Sequence, residues 1–240
     1  MRFFIYTMKI KDSVFIVTGG SSGIGKALAA LLKEKGGKVV ITGRDALKLE
    51  KVSKEIGVEG HLAHMTSDED LQKLVDSVMN QFGRVDCLIN NAGIGEFAPV
   101  DDLNRAAFQR IFETNVFGAA ILTSKLISAF KSQNYGNIVN IGSSASVKGF
   151  ANGSVYSASK FALRAMSECW RTELRPHNIR VMHVNPSEVT TAFNKEDRIE
   201  REEKDNKLRP FDLAFSIVAA LELDDRAFIP EFGVWATNPF

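Results

Sequence analysis

Tyr156 and Lys160, in the segment Tyr156-Ser-Ala-Ser-Lys160, set a phenol and an ammonium at i and i+4, one turn apart on one helical face. A free tyrosine titrates near pH 10 and is a poor proton-transfer group at neutrality. An ammonium within ~4 Å, at an effective dielectric near 20, is worth about 4 kcal/mol or roughly three pKa units. The pair is therefore a candidate general acid–base couple acting on an oxygen. On its own this spacing more often marks a surface pair, so its weight comes from its company. Ser143 follows the apolar run Ile138–Ile141 and offers a hydroxyl to hold an oxygen beside the tyrosine, with Ser144 and Ser146 as neighbouring alternatives. Asn90-Asn91-Ala92-Gly93 follows another apolar run. Asn115 and Gly118 stand inside a long helical pattern, where each is costly relative to alanine and invites a functional reason.

A second group of residues suits an anion. Thr18-Gly-Gly-Ser-Ser-Gly-Ile-Gly25 lies between an apolar run and a helical pattern. Glycines there let the backbone turn tightly and approach a diphosphate, while helix N-terminal amides point at it. The spacing is TGxxxGxG, not the GxGxxG of the standard dinucleotide fingerprint. At the end of the next apolar run the chain reads Ile41-Thr42-Gly43-Arg44. An NAD-selective site would place an acid where Gly43 falls. Arg44 can instead contact a 2′-phosphate, which favours NADP(H) over NAD(H); the alternative is a solvated turn residue. Asp45 reads as the start of the next helix.

These residues need a frame, and the apolar pattern supplies one. Residues 14–17, 39–41, 85–89, 138–141 and 181–184 are short, β-branched-rich runs, as expected of strands buried on both faces. Helical patterns cover roughly 24–35, 46–56, 68–82, 104–133, 155–175 and 212–222. Such alternation predicts a parallel sheet with helices on both sides. No repeat or linker divides the chain. Residues 194–209, NKEDRIEREEKDNKLR, are dense in charge and read as a solvated surface helix or as a lid over a site at about 192–210.

The bulk properties exclude several classes. Hydrophobic residues make up 45% of the 240 residues and charged residues 25%, an ordinary globular balance. The net charge of +1 gives no broad field for nucleic acid or an anionic membrane surface. No apolar run approaches the 18 or so residues needed to span a bilayer. Cys87 and Cys169 suggest no disulfide framework and fit a cytoplasmic location. The histidines at 61, 177 and 183 show no ligand spacing, so no metal is expected. Residues 1–7 precede a second methionine, Met8, and read as an upstream-start extension.

In order and at matching spacing, TGGSSGIG (18–25), NNAG (90–93), Asn115 in NVFG, Ser143 and YSASK (156–160) resemble the motifs of the short-chain dehydrogenases/reductases, in their short single-domain branch. The likeness runs from about Met8 to near Thr191. It implies one doubly wound α/β Rossmann domain over 8–240, with a mostly parallel seven-stranded sheet and helices on both faces. It implies a catalytic tetrad of Asn115, Ser143, Tyr156 and Lys160. In that family the tyrosine exchanges a proton with the carbonyl or alcohol oxygen while the nicotinamide transfers hydride. The lysine lowers the tyrosine pKa and binds the nicotinamide ribose, the serine orients the substrate, and the asparagine position holds a water. Further cofactor contacts are implied at Gly19, Ser21, Ser22, Gly23, Ile24, Gly25, Arg44, Asn91, Ala92 and Gly93. Tyr156, Lys160, Pro186, Val189 and Thr191 complete that set.

Three positions depart from the family pattern: His64 where relatives often carry an aspartate, Ser187 after Pro186 where glycine is usual, and a C-terminus, FIPEFGVWATNPF, without the common glycine-rich close. The implied activity is NADP(H)-dependent reduction of a small-molecule carbonyl or oxidation of the matching alcohol. The alternative is a non-catalytic NADP(H) sensor on the same fold, and the intact tetrad counts against it. Ile94–Ala98, residues 145–153 and the charged segment would line the pocket, bringing Phe97, Phe150, Phe193 and Lys148. That lining suits an apolar or aromatic carbonyl but also an acyl thioester, so 3-oxoacyl groups, small ketones and dicarbonyls all stand. The helices near 104–133 and 155–175 pair between subunits in relatives, which implies a homodimer or homotetramer.

Overall fold

The computed structural model describes residues 8–193 and 201–239. The extension expected at residues 1–7 and the core of the charged segment, 194–200, lie outside them. Seven strands form one sheet: β1 (Val14–Val17), β2 (Lys38–Gly43), β3 (Glu59–Leu62), β4 (Cys87–Asn90), β5 (Gly136–Ile141), β6 (Ile179–Pro186) and β7 (Glu231–Val234). Their spatial order is β3-β2-β1-β4-β5-β6-β7, and every neighbouring pair is parallel. The helices are α1 (Gly23–Glu34), α2 (Ala46–Ile56), α3 (Asp68–Phe82), α4 (Arg105–Phe112), α5 (Gly118–Gln133), α6 (Ser154–Leu174) and α7 (Pro210–Leu221). No helix among the described residues is long and apolar enough to cross a membrane.

Period-two alternation sorts each strand between two cores. Phe15 and Val17 of β1 join Ile41, Val139 and Val184 on the face packed by Leu28 and Leu32 of α1 and Leu213 and Ile217 of α7. Val14 and Ile16 point the other way, with Leu88, Ile138 and Val181, onto Leu71 and Leu74 of α3 and Leu122 and Leu126 of α5. Both faces being covered is why the central strands read as unbroken apolar runs. Local chemistry sets the helix ends. Asp45 and Ser67 cap α2 and α3 by accepting from the Lys48 and Asp70 amides, and Gly57 and Gly83 close them in the left-handed conformation.

The sequence pattern predicts one helix over 104–133, and the structure corrects this. A π-helical turn, Glu113–Phe117, separates α4 from α5. Gly118 follows it because a Cβ there would lie 2.4 Å from the Met65 carbonyl oxygen. The close approach of α5 to the loop after β3 thus requires glycine. The wide turn carries Asn115, almost fully buried, inward.

Candidate active site

The strand order reverses between β1 and β4, so their C-terminal ends open a crevice where doubly wound sheets bind ligands. The glycine loop sits at its floor. Gly19 and Gly23 adopt positive φ, +64° and +52°. A Cβ on Gly25 would fall 2.4 Å from Asn91 Nδ2 and 2.5 Å from the Gly19 carbonyl oxygen. The Asn91 amide donates to the Thr18 and Gly19 carbonyls at 2.9 and 3.2 Å. Thr18 Oγ1 accepts from the Asn91 and Ala92 amides, both at 3.0 Å. Asn91 and Ala92 therefore brace the loop from β4. Ser22 begins α1 without a side-chain cap and no acid stands in the first turn, whereas α2, α3 and α4 are all capped by side chains. An uncapped helix start beside a tight glycine turn suits an anionic group, so the residues present fit a dinucleotide diphosphate.

Ile24 is half-buried against the core. Gly43, at the end of β2, lies against Ser21, to whose Oγ an added Cβ would come within 3.0 Å. Arg44 is exposed and, among the described residues, makes no ion pair; it borders a shallow pocket with Ile94, Gln109, Arg110 and Thr114. Arg110 is paired with Glu96 at 2.6 Å. Asp45 is the α2 cap, as its position suggested. Past Pro186, the Ser187 amide donates to Val234 and so continues the β6–β7 pairing. Val189 bridges to Leu208, and Thr191 lies over α1, its Cγ2 3.1 Å from where a Gly23 Cβ would be. Arg201 and Lys207 both meet Glu188 at 3.3 Å, and residues 201–209 are not helical. His64 is exposed, with its amide on the Asp70 carboxylate.

The four residues of the expected tetrad converge beside this loop. Tyr156 and Lys160, in the first turns of α6, are only 8% and 4% exposed. Burial raises the Tyr156 pKa, partly offset by the nearby Ser143 hydroxyl. Burial lowers Lys160 from 10.5 to about 8. The spacing argument predicts the reverse for the phenol, and the geometry explains the difference. Lys160 Nζ lies 5.8 Å from the tyrosine ring centroid and donates to the Ile141 carbonyl at 2.8 Å. Desolvation is therefore the leading influence on the phenol, opposed by the Ser143 hydrogen bond. Gly93 brings the β4 loop close, an added Cβ falling 3.5 Å from Lys160 Nζ and 3.4 Å from Asn115 Oδ1.

Asn115 acts as a tie. Its Oδ1 accepts from the Ile94 amide at 2.9 Å, and its Nδ2 donates to the Ile94 carbonyl at 2.9 Å and to Ser159 Oγ at 3.1 Å. Ser159 in turn donates to the Tyr156 carbonyl at 2.7 Å. The π turn thus locks the β4 loop to the first turn of α6.

Sequence reasoning set His183 aside, yet it supports the Ser143 loop. The Ser143 amide donates to Ser146 Oγ at 3.0 Å, and Ser146 Oγ lies 3.3 Å from His183 Nε2. His183 Nδ1 lies 3.2 Å from Ser167 Oγ, which gives its proton to the Leu163 carbonyl and accepts from Asn140. Ser167, which gives its own proton to Leu163, can accept from Nδ1–H, while Nε2 faces Ser146. Burial holds this imidazole neutral, with its pKa lowered to about 4. The available signal was a polar residue within a fully buried strand. Among the described residues, no group of three or more His, Cys, Asp or Glu side chains is placed to hold a metal ion.

With the geometry in place, comparison decides the family. The model of the short chain dehydrogenase family matches residues 13–202. The chain is a short-chain dehydrogenase/reductase. Like other members it is an oxidoreductase on a Rossmann domain. Among its relatives is the sepiapterin reductase of Chlorobaculum tepidum, 31% identical over 91% of this chain and 93% of that one. An alcohol dehydrogenase from Thermococcus sibiricus, complexed with 5-hydroxy-NADP, superposes with a TM-score of 0.87 at 25% identity, covering 95% of this chain and 97% of that one. A 3-ketoacyl-(acyl-carrier-protein) reductase from Brucella melitensis, complexed with NADH, gives 0.84 at 27% identity, covering 96% of this chain and all of the other. This short-chain dehydrogenase/reductase thus has solved neighbours with both kinds of nicotinamide cofactor.

Proposed function

We propose that this enzyme exchanges a hydride between NADP(H) and a carbonyl/alcohol pair, with Tyr156 as the proton-transfer residue. The observation that carries this is the buried Tyr156 phenol beside the Ser143 hydroxyl, one helical turn from a buried lysine, at the mouth of the β1/β4 crevice. Bound there, the nicotinamide supplies or accepts the hydride. Gly19–Gly25 and the start of α1 would hold the diphosphate, Arg44 the 2′-phosphate, and Asn91, Ala92 and Gly93 the wall beside it. Pro186, Val189 and Thr191 would border the nicotinamide end.

Ser143 holds the substrate oxygen, and Tyr156 gives its proton to that oxygen as the alcohol forms. Lys160 provides buried positive charge close to the phenol, and Asn115 keeps the β4 loop and α6 in register. Burial raises the phenol pKa, which favours the protonated form that gives its proton to the substrate oxygen. Preference for NADP(H) rests on Gly43 and Arg44, and the 5-hydroxy-NADP complex of the Thermococcus neighbour supports it. Two of the similar proteins are named as reductases, one of sepiapterin and one of 3-ketoacyl groups, which supports a carbonyl compound as the substrate.

The test is NADPH consumption, with NADH in parallel, across a vicinal diketone, an aromatic aldehyde and an acetoacetyl thioester. Turnover with NADPH above NADH is expected, and Tyr156→Phe should abolish it while NADPH binding persists. Undiminished turnover by that variant would overturn the assignment of Tyr156. An absence of turnover with every carbonyl, despite NADPH binding, would favour a sensor.

A further inference from the structure

Two phenylalanine rings from separate segments pack on the ring of Tyr156, and a third packs on one of them. Phe97, from the loop after β4, meets the tyrosine edge-on at 5.5 Å and 73°. Phe193, beyond β6, lies on the tyrosine at 5.7 Å and 55°. Phe150, from the loop before α6, extends the group by packing on Phe97 at 5.7 Å and 55°. These rings are large and apolar, yet 41%, 38% and 51% exposed respectively. Isolated exposed rings need no explanation, but a cluster at the door of a buried catalytic group does.

Glycines hold the rings in place. A Cβ on Gly95 would come within 2.9 Å of the Phe193 ring and 3.2 Å of Phe97, and one on Gly153 within 2.6 Å of Phe150. Any side chain at either position would push the rings aside, so the backbone is cut back where they lie. Among the described residues, Glu96 is paired with Arg110 and Glu188 with Arg201 and Lys207, while Lys148 is exposed in the same loop as Phe150. The entrance therefore offers ring faces and edges beside the phenol.

Resting on the reading of the site given above, we infer that the substrate is an aryl carbonyl, with its aromatic ring held among Phe97, Phe150 and Phe193 while its oxygen meets Tyr156 and Ser143. Aromatic rings prefer edge-to-face and offset partners and gain from them beyond the area they bury. Two such partners correspond to about a tenfold preference over a saturated ring of the same size.

The experiment compares 1-phenylpropane-1,2-dione, its cyclohexyl analogue and acetoacetyl N-acetylcysteamine thioester as substrates of the full-length enzyme with NADPH. The expected result is a kcat/KM about tenfold higher for the phenyl than for the cyclohexyl dione, with the thioester lower still. In Phe97→Leu and Phe150→Leu the phenyl-to-cyclohexyl ratio should fall toward one. Because each ratio is taken within one protein preparation, loss of folded enzyme cancels. A wild-type ratio near one, a ratio unmoved by both variants, or a preferred thioester would overturn the aryl assignment while leaving hydride transfer intact. Turnover of none of the three would instead count against the catalytic reading itself, and the aryl assignment would fall with it.

Discussion

Replacing Lys160 with methionine should abolish catalysis and make the cofactor-free enzyme more stable. The lysine is 4% exposed, and burial alone lowers its pKa from 10.5 to about 8. At about 1.4 kcal/mol per pH unit, holding that ammonium in the folded chain costs about 3 kcal/mol at neutral pH. Methionine has similar reach and no charge to desolvate. The substitution also gives up the bond to the Ile141 carbonyl, worth about 1 kcal/mol net. The variant should therefore gain about 2 kcal/mol.

The pH dependence separates this explanation from generic packing effects. Below pH 8 the lysine is charged in both states, so the difference between the two proteins is constant. Between pH 8 and 10.5 the unfolded chain keeps a proton that the folded chain has released, so wild-type stability rises with pH and the gap closes. Urea unfolding at pH 7 and pH 9.5 without cofactor measures both points. The variant should lead by about 2 kcal/mol at pH 7 and be roughly level at pH 9.5. A variant less stable at pH 7, or a gap indifferent to pH, would refute the claim that the buried ammonium is a cost the fold carries for chemistry.

Arg44→Ala should raise the KM for NADPH roughly 10- to 100-fold, the worth of a charge-assisted hydrogen bond, and leave that for NADH nearly unchanged; equal effects on both would remove the arginine from the 2′-phosphate. Gly25→Ala, with its Cβ 2.4 Å from Asn91 Nδ2, should cost about 1–3 kcal/mol in thermal unfolding and weaken NADPH binding, and unchanged values would mean the loop has slack. His183 ordinarily titrates at 6.5 but at about 4 when folded, so the unfolded chain takes up its proton first and stability falls as pH drops through that window. Urea midpoints of His183→Gln should lack this part of the acid slope; an identical slope would show that other groups set it.

Much of the fold was legible because the central strands are covered on both faces and so carry continuous apolar runs. The edge strand β3, Glu59–Leu62, is alternately half-buried and exposed, and β7 is similarly open. Neither shows an apolar run, and only the family likeness implied seven strands. The break at Glu113–Phe117 was hidden because a π turn leaves the flanking apolar spacing plausible; Asn115 and Gly118 were its only trace. Asn115, Ser143, Tyr156 and Lys160 could be singled out because each sits in a short local motif. The support behind Ser143 could not, since His183 meets Ser146 and Ser167 across separations of 37 and 16 residues. Nor can spacing report burial, which is why it gave the wrong direction for the tyrosine.

That reversal bears on how the site works. Burial disfavours charge on both members of the pair, keeping the phenol protonated and bringing the ammonium to the edge of losing its proton near pH 8. Each shift arises chiefly from the same burial rather than from the partner's charge. The rings of Phe97 and Phe193 pack on Tyr156 and contribute to its burial. On the aryl reading proposed above, two of the rings that would select the substrate, Phe97 and Phe193, also pack on Tyr156. Opening the aromatic wall should weaken that selection and the burial of Tyr156 together.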